Sequence, residues 1–178
     1  MSDVNIRIAG SGGQGVILAT IILADAALND GKYAAQSQSY GPEARGGACK
    51  AEVVISDDPI DFPKVELSDF FLALTQDSLN KYLPQCKKGS TVMIDSTLDA
   101  PETGDYKIIK APILETARVV LCKPVTANII AVGTVGNYLQ LAELSTIEEA
   151  VLNNVPKGTI DINRTALYEG FGITLEEL

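Results

Sequence analysis

The most constraining stretch of this 178-residue chain is its beginning. Val4-Asn5-Ile6-Arg7-Ile8-Ala9 alternates apolar and polar residues, the period-two pattern of a β-strand. Gly10-Ser11-Gly12-Gly13-Gln14-Gly15 breaks that pattern. From Val16 to Leu28 the chain is apolar nearly all round, and Gly31 is placed to stop a helix. A helix with no polar face must be covered on two sides, by a sheet on one and by another element or a subunit on the other. Strand, glycine turn and helix in succession make the opening unit of an α/β domain.

The remainder of the chain extends that unit. Tyr33 to Ser39 and Lys50 to Ser56 read as strands, joined by only about ten residues, Tyr40 to Cys49. A parallel crossover usually needs a dozen or more, which leaves an antiparallel pair and a mixed sheet open. Phe70 to Leu74 and Thr91 to Asp95 read as buried strands around a helical stretch from Gln76 to about Leu83. Lys107 to Lys110 reads as an edge strand. The last third is helical: Pro112 to Leu121, then Ala127 to about Leu144 capped by Thr126. A third helix is opened by the capping-box pattern Ser145-Thr-Ile-Glu148 and ends near Val155, and a fourth runs from Asp161 to Glu169 and is stopped by Gly170. The expected fold is α/β: a single domain over residues 1–178, Rossmann-like and three-layered, with a mostly parallel sheet and a helical C-terminal third.

Composition narrows the chemistry. The chain has no histidine, which removes Ser-His-Asp and Cys-His nucleophilic sites, imidazole-held metals and the usual general base near neutral pH. Cys49, Cys86 and Cys122 are odd in number and widely spaced, which fits neither a disulfide framework nor a Cys-x-x-Cys metal or cluster site. Free thiols packed as small hydrophobes in a reducing cytoplasm are expected. The formal charge of −9 carries no basic stripe for nucleic acid. No run approaches the ~20 apolar residues that span a bilayer, and the N-terminus has no secretory pattern.

Gly10-x-Gly12-x-x-Gly15 follows a strand and opens a helix, where backbone N–H groups and the absence of side chains suit an anion. A dinucleotide site also needs an acidic residue at the end of the second strand. Asp30 has the right count but falls at the helix end, before that strand begins. Three readings stay open: a dinucleotide, a tight turn with close helix–sheet packing, and another anion or a partner subunit. Ser39-Tyr40-Gly41-Pro42-Glu43-Ala44-Arg45-Gly46-Gly47 is a second turn-rich loop after a strand, where α/β folds place their sites. Arg45 could clamp a carboxylate or phosphate through two N–H groups, or simply pair with Glu43 or a partner.

Gly-x-Gly-Gly-Gln-Gly near the N-terminus, followed some twenty-five residues later by Tyr-Gly-Pro-Glu-x-Arg-Gly-Gly, resembles the gamma subunit of 2-oxoacid:ferredoxin oxidoreductases. The resemblance includes the helix from Ala127 to Leu139 with Gly133, and the helix from Asn163 to Gly170 followed by Phe171-Gly172. It implies a gamma (catalytic) domain of a complex that decarboxylates a 2-oxo acid, 2-oxoglutarate being favoured over pyruvate or a branched-chain acid. Thiamine diphosphate with magnesium and iron–sulfur clusters would sit on partner subunits, alpha, beta and a ferredoxin-like delta. Coenzyme A would take the acyl group and ferredoxin the electrons. This chain would bind no cofactor by itself and would be inactive alone. The loop residues Gly10, Gly12, Gly13, Gln14, Gly15, Tyr40, Gly41, Pro42, Glu43, Arg45, Gly46 and Gly47 would face a ligand or a partner. Arg45 is the candidate for holding an anionic group, with Gln14 and Tyr40 supplying hydrogen bonds. The alternatives are a purely structural assembly subunit and a free-standing dinucleotide-binding module.

Overall fold

A computed structural model describes residues 3–38, 47–102 and 104–178. Seven strands form one mixed sheet in the order β2-β3-β1-β4-β5-β6-β7. Their spans are β1 Val4–Ser11, β2 Tyr33–Gln38, β3 Ala48–Ser56, β4 Ser68–Ala73, β5 Cys86–Asp95, β6 Lys107–Ala111 and β7 Glu176–Glu177. β1 pairs parallel with β4, β4 with β5 and β5 with β6. β3 runs antiparallel to both β1 and β2, and β7 antiparallel to β6. β2 and β3, successive in the chain, thus form the antiparallel pair left open by the sequence, and the sheet is mixed. β2 to β6 match the expected strands, while β6 is not an edge: β7 covers it, fastened by Leu178 N–H donating to the Ile108 carbonyl and by a Lys107–Glu177 ion pair.

The helices are α1 Val16–Asn29, α2 Gln76–Tyr82, α3 Ile113–Glu115, α4 Ala127–Leu139, α5 Leu144–Asn154 and α6 Ile160–Phe171. α1 lies over β2 and β3, and α4 and α5 close over it, so most of its apolar girth is covered within the chain, while Leu28 at its C-terminal end stays exposed. Beneath them Ile6, Ile8, Val53, Ile55, Phe70, Leu72, Met93 and Ile109 form the main core, each large side chain contributing about 1.5–3 kcal/mol. The opposite face is thinner: α2 sets Leu79 and Tyr82 on Ala9, Phe71, Ala73, Val92 and Ile94. That face also holds Arg7, fully buried, with Nε 2.7 Å from Glu52 Oε1 on the adjacent strand. Its Nη1 donates to the Gln85 carbonyl at 2.8 Å, so the guanidinium is neutralised and hydrogen-bonded as burial demands. Among the described residues no helix is long and apolar enough to cross a membrane.

The C-terminal third departs from expectation in its ends. α5 starts at Leu144 with Glu143 as its N-cap and no side-chain cap, so Ser145 lies inside the first turn, and Glu148 is held by Arg164 and Tyr168 of α6. Thr126 does not cap α4 either; its hydroxyl donates to the Lys123 carbonyl. α4 ends at Leu139, where Gln140 turns left-handed, and α6 continues past Gly170 to Phe171. The expected Pro112–Leu121 helix is three α-helical residues followed by one π turn, Thr116–Val120. A capping box does form elsewhere, between Thr75 and Ser78 at the start of α2.

Gly133 and Gly136 make close approaches inside the chain. A side chain at Gly133 would run into the Leu167 carbonyl and come within 2.9 Å of Phe171 N, so this glycine lets α4 and α6 touch backbone to backbone. Thr134 reinforces the contact by donating to the Gly170 carbonyl at 3.0 Å.

Candidate functional site

The first glycine motif forms a turn between β1 and α1 whose shape depends on two left-handed residues, Gly13 (φ 92°) and Gly15 (φ 72°). L-residues rarely adopt that conformation, so the glycines are required there. Gln14 folds back over the turn: its Oε1 accepts from Ser11 N–H at 2.7 Å, and its own N–H donates to the Ser11 carbonyl at 3.2 Å. The Gln14 acceptor, expected to serve a ligand, is therefore committed to shaping the loop. Gly10 gives it room, since a side chain there would collide with Gln14 Oε1.

Gly15 is the N-cap of α1, which has no side-chain cap and no acidic residue in its first turn. The N–H groups of that turn and the positive end of the helix dipole open toward the glycine turn. Asn128, in the first turn of α4, reaches the same point, with Nδ2 3.5 Å from the Gly15 carbonyl. Two helix N-termini thus meet at Gly15. Asn128 belongs to the Ala127–Leu139 stretch of the family resemblance, but its contact could not be read from sequence, because the neighbour lies more than a hundred residues away.

The second motif is anchored at the same place. Ser11 is paired with Ala48 and Gly10 with Cys49, so Gly47 leaves the sheet beside Gly12. Gln38, at the end of β2, points to that edge too, since β2 runs parallel to β1. Tyr40, Gly41, Pro42, Glu43, Arg45 and Gly46 lie outside the described residues. The base of their loop is held from below: Tyr82 Oη donates to the Ala48 carbonyl at 3.0 Å, and Lys50 Nζ lies 5.6 Å from the Tyr82 ring centre. Lys50 also pairs with Glu52 at 2.9 Å, joining it to buried Arg7. This is the carboxyl edge of the parallel strands, where chain connections depart in opposite directions from β1 and β4, and where open α/β sheets bind ligands.

Asp95, at the end of β5 on that edge, is fully buried and spoken for. It accepts from Thr97 N–H and hydroxyl at 3.1 and 2.6 Å and from Leu114 N–H at 2.8 Å, which shapes the β5 turn and holds the start of α3. Its signal in sequence is the short Asp-Ser-Thr turn. Asp30 stands at the far end of α1, about 20 Å from Gly15 by the rise of a 14-residue helix, and pairs with Lys32 at 2.7 Å. Asp30 is therefore not at the glycine turn.

The cysteines are scattered: Cys86 buried, Cys49 half-buried and Cys122 exposed, the last against the expectation of a packed thiol. Burial pushes the Cys86 thiol up from its ordinary range. Among the described residues no group of three or more Cys, Asp or Glu side chains converges to hold a metal ion. A cleft of about 410 Å³, lined by Asp30, Asn137, Gln140, Glu143 and Phe171 among others, lies at the α1 C-terminus and so away from the glycine turn.

Residues 5–173 match the family model of pyruvate ferredoxin/flavodoxin oxidoreductase. The chain is 44% identical over 176 residues to the 2-oxoglutarate synthase subunit KorC of Methanocaldococcus jannaschii, covering 96% of this chain and 94% of that one. It is 42% identical to the protein of the same name from Methanothermobacter marburgensis, covering 96% of each. A solved structure, the keto/oxoacid ferredoxin oxidoreductase gamma subunit of Geobacter sulfurreducens PCA, superposes with a TM-score of 0.86 at 41% identity, over 96% of this chain and 95% of that one.

Proposed function

Because the chain belongs to the pyruvate ferredoxin/flavodoxin oxidoreductase family, we propose that it is the gamma subunit of a 2-oxoglutarate:ferredoxin oxidoreductase. The complex would convert 2-oxoglutarate, coenzyme A and oxidised ferredoxin to succinyl-CoA, CO2 and reduced ferredoxin. The observation that carries this reading is the identity of over 40%, end to end, with 2-oxoglutarate synthase subunits. Thiamine diphosphate, when bound, supplies the carbanion chemistry, and iron–sulfur clusters supply electron transfer. The clusters are assigned to partner subunits, since this chain's three cysteines are widely spaced in sequence, and thiamine diphosphate is assigned there with them by the family resemblance. Partners are accordingly alpha, beta and a ferredoxin-like delta.

The chain's own part would be to present the glycine turn on the edge from which Gln38 and Gly47 lead into the second motif. The uncapped N–H groups of α1 and the guanidinium of Arg45 would hold an anionic group of coenzyme A or of the 2-oxo acid at the subunit junction. Arg45→Ala in the assembled complex tests this. The expected result is a higher KM for coenzyme A or 2-oxoglutarate with the complex intact. Normal assembly with unchanged kinetics rejects the role of Arg45, and lower yield of complex with level activity per complex assigns the loop to assembly alone.

A further inference from the structure

Residues 116–125 form a bend that folding alone does not explain. The π turn Thr116–Val120 is closed by Leu121 N–H donating to the Thr116 carbonyl at 3.0 Å, and Lys123 N–H donates to the Ala117 carbonyl at 2.8 Å. Thr126 binds the Lys123 carbonyl through both N–H and hydroxyl, at 2.9 and 2.8 Å. Between these ties Cys122 sits at φ 51°, a left-handed conformation that disfavours any residue with a side chain. A strained backbone is thus fixed from both sides, and π turns recur at functional positions.

What the bend displays is apolar. Val125, Val119 and Val120 are 80%, 67% and 59% exposed, and Cys122 is exposed between them. Single exposed hydrophobes need no explanation, but three valines within seven residues on one fixed bend form a patch. Valine is stiff at χ1, so little side-chain freedom is lost when it docks.

Place and charge say what docks. Asp95 holds the Leu114 amide at the end of β5, and Thr126 leads into α4, whose Asn128 touches Gly15. The bend therefore belongs to the same carboxyl edge as the glycine turn. Arg118 and Lys123 flank the valines, with Glu115 the one acid from 112 to 126, in a chain of net charge −9. Neither cation is ion-paired among the described residues. A two-fold contact between copies of this chain would set like cations against each other, which disfavours self-association through this patch.

We infer that the Val119–Val120–Val125 bend is a docking knob for another subunit of the same oxidoreductase, entering an apolar depression rimmed by carboxylates. The inference rests on the gamma-subunit reading. Its test is reconstitution of the complex from the full-length chain and the remaining subunits, followed by titration and by sedimentation of the chain alone. Val119→Asp/Val125→Asp is expected to weaken assembly about tenfold or more while the free chain keeps the wild-type melting temperature. Arg118→Glu/Lys123→Glu is expected to weaken assembly also and to remove its sensitivity to salt. Wild-type affinity in both variants overturns the knob and leaves the gamma-subunit reading standing. A self-associating chain that the valine variant turns into monomers overturns the choice of partner. Failure of the wild-type chain to join these subunits overturns the functional reading, and the knob with it.

Discussion

Replacing Gly15 by alanine separates two physical effects at the glycine turn. The backbone at Gly15 is left-handed, at φ 72° and ψ 24°, which costs an L-residue about 1–2 kcal/mol. A methyl there would also lie 2.5 Å from Asn128 Nδ2, 2.9 Å from its Cγ and 3.1 Å from its Cβ. Rotating the Asn128 side chain clears the amide but not the Cβ, which is fixed to α4. The start of α4 must therefore shift, adding about 1–3 kcal/mol of overpacking. The expected total is about 2–5 kcal/mol. Gly13 is the comparison, because its φ is 92° but a side chain there would meet nothing within 4 Å among the described residues. Gly13→Ala should show the backbone cost alone, so Gly15→Ala should exceed it by about 1–3 kcal/mol. Urea unfolding of the purified chain, extrapolated to water, measures both. In an Asn128→Ala background the excess should shrink, a coupling expected for residues in contact. Equal losses for the two glycine variants, or no coupling with Asn128, would refute the steric account.

Two further outcomes follow from the same geometry. Gly133→Ala should destabilise the chain by about 1–3 kcal/mol, because the new methyl meets the α6 backbone at Leu167 and Phe171. Gly136→Ala should stay within about 1 kcal/mol of wild type, since it meets only the flexible end of Ile147 and gains helix propensity; denaturant curves distinguish the two. Burial would raise the Asp69 carboxyl, but hydrogen bonds from Lys87 and from the Asn5 backbone and side chain outweigh it and hold the pKa below 3.8. A lowered folded-state pKa stabilises above the unfolded value and is lost as pH falls through the folded one. Asp69→Asn should therefore flatten the fall in stability below about pH 4, read from unfolding midpoints across an acid titration; an unchanged slope would contradict the network.

The strands were legible because their apolar runs and alternation are local properties, and the glycine turn because left-handed residues need glycine. What escaped was set by distant neighbours. Arg7 occupies the polar beat of β1, yet it is buried because Glu52 meets it across the β1–β3 pair, 45 residues on. β7 consists of two glutamates with no strand propensity of their own and exists because β6 offers an open edge and Lys107. The Ser145–Glu148 capping pattern fails because α5 begins before Ser145, with Glu143 as its N-cap, and Glu148 serves Tyr168 and Arg164 instead, whose hydrogen bonds lower its pKa. The π turn was unreadable, since Thr-Ala-Arg-Val-Val suits a buried helix as well as a bend that shows its valines to solvent. At the site, both glycine motifs could be read in sequence, but not the Asn128 contact or the inward commitment of Gln14.

The spacing of the two motifs has a geometric cause. From Gly15 the chain descends the 14 residues of α1, about 21 Å at 1.5 Å per residue. It then climbs the six residues of β2, about 20 Å at 3.3 Å per residue. The two lengths nearly cancel, so a chain that leaves the carboxyl edge at Gly15 is back at that edge by Gln38. The antiparallel pairing with β3 then starts the next strand at the same edge, with Cys49 beside Gly10. Had β3 run parallel to β1, Gly47 would lie a nine-residue strand away, about 30 Å from the glycine turn. The mixed sheet and the roughly equal lengths of α1 and β2 are therefore conditions for two loops far apart in sequence to act on one ligand or one partner. A one-turn insertion in α1 without a matching extension of β2 would break that register and leave both motifs intact in sequence.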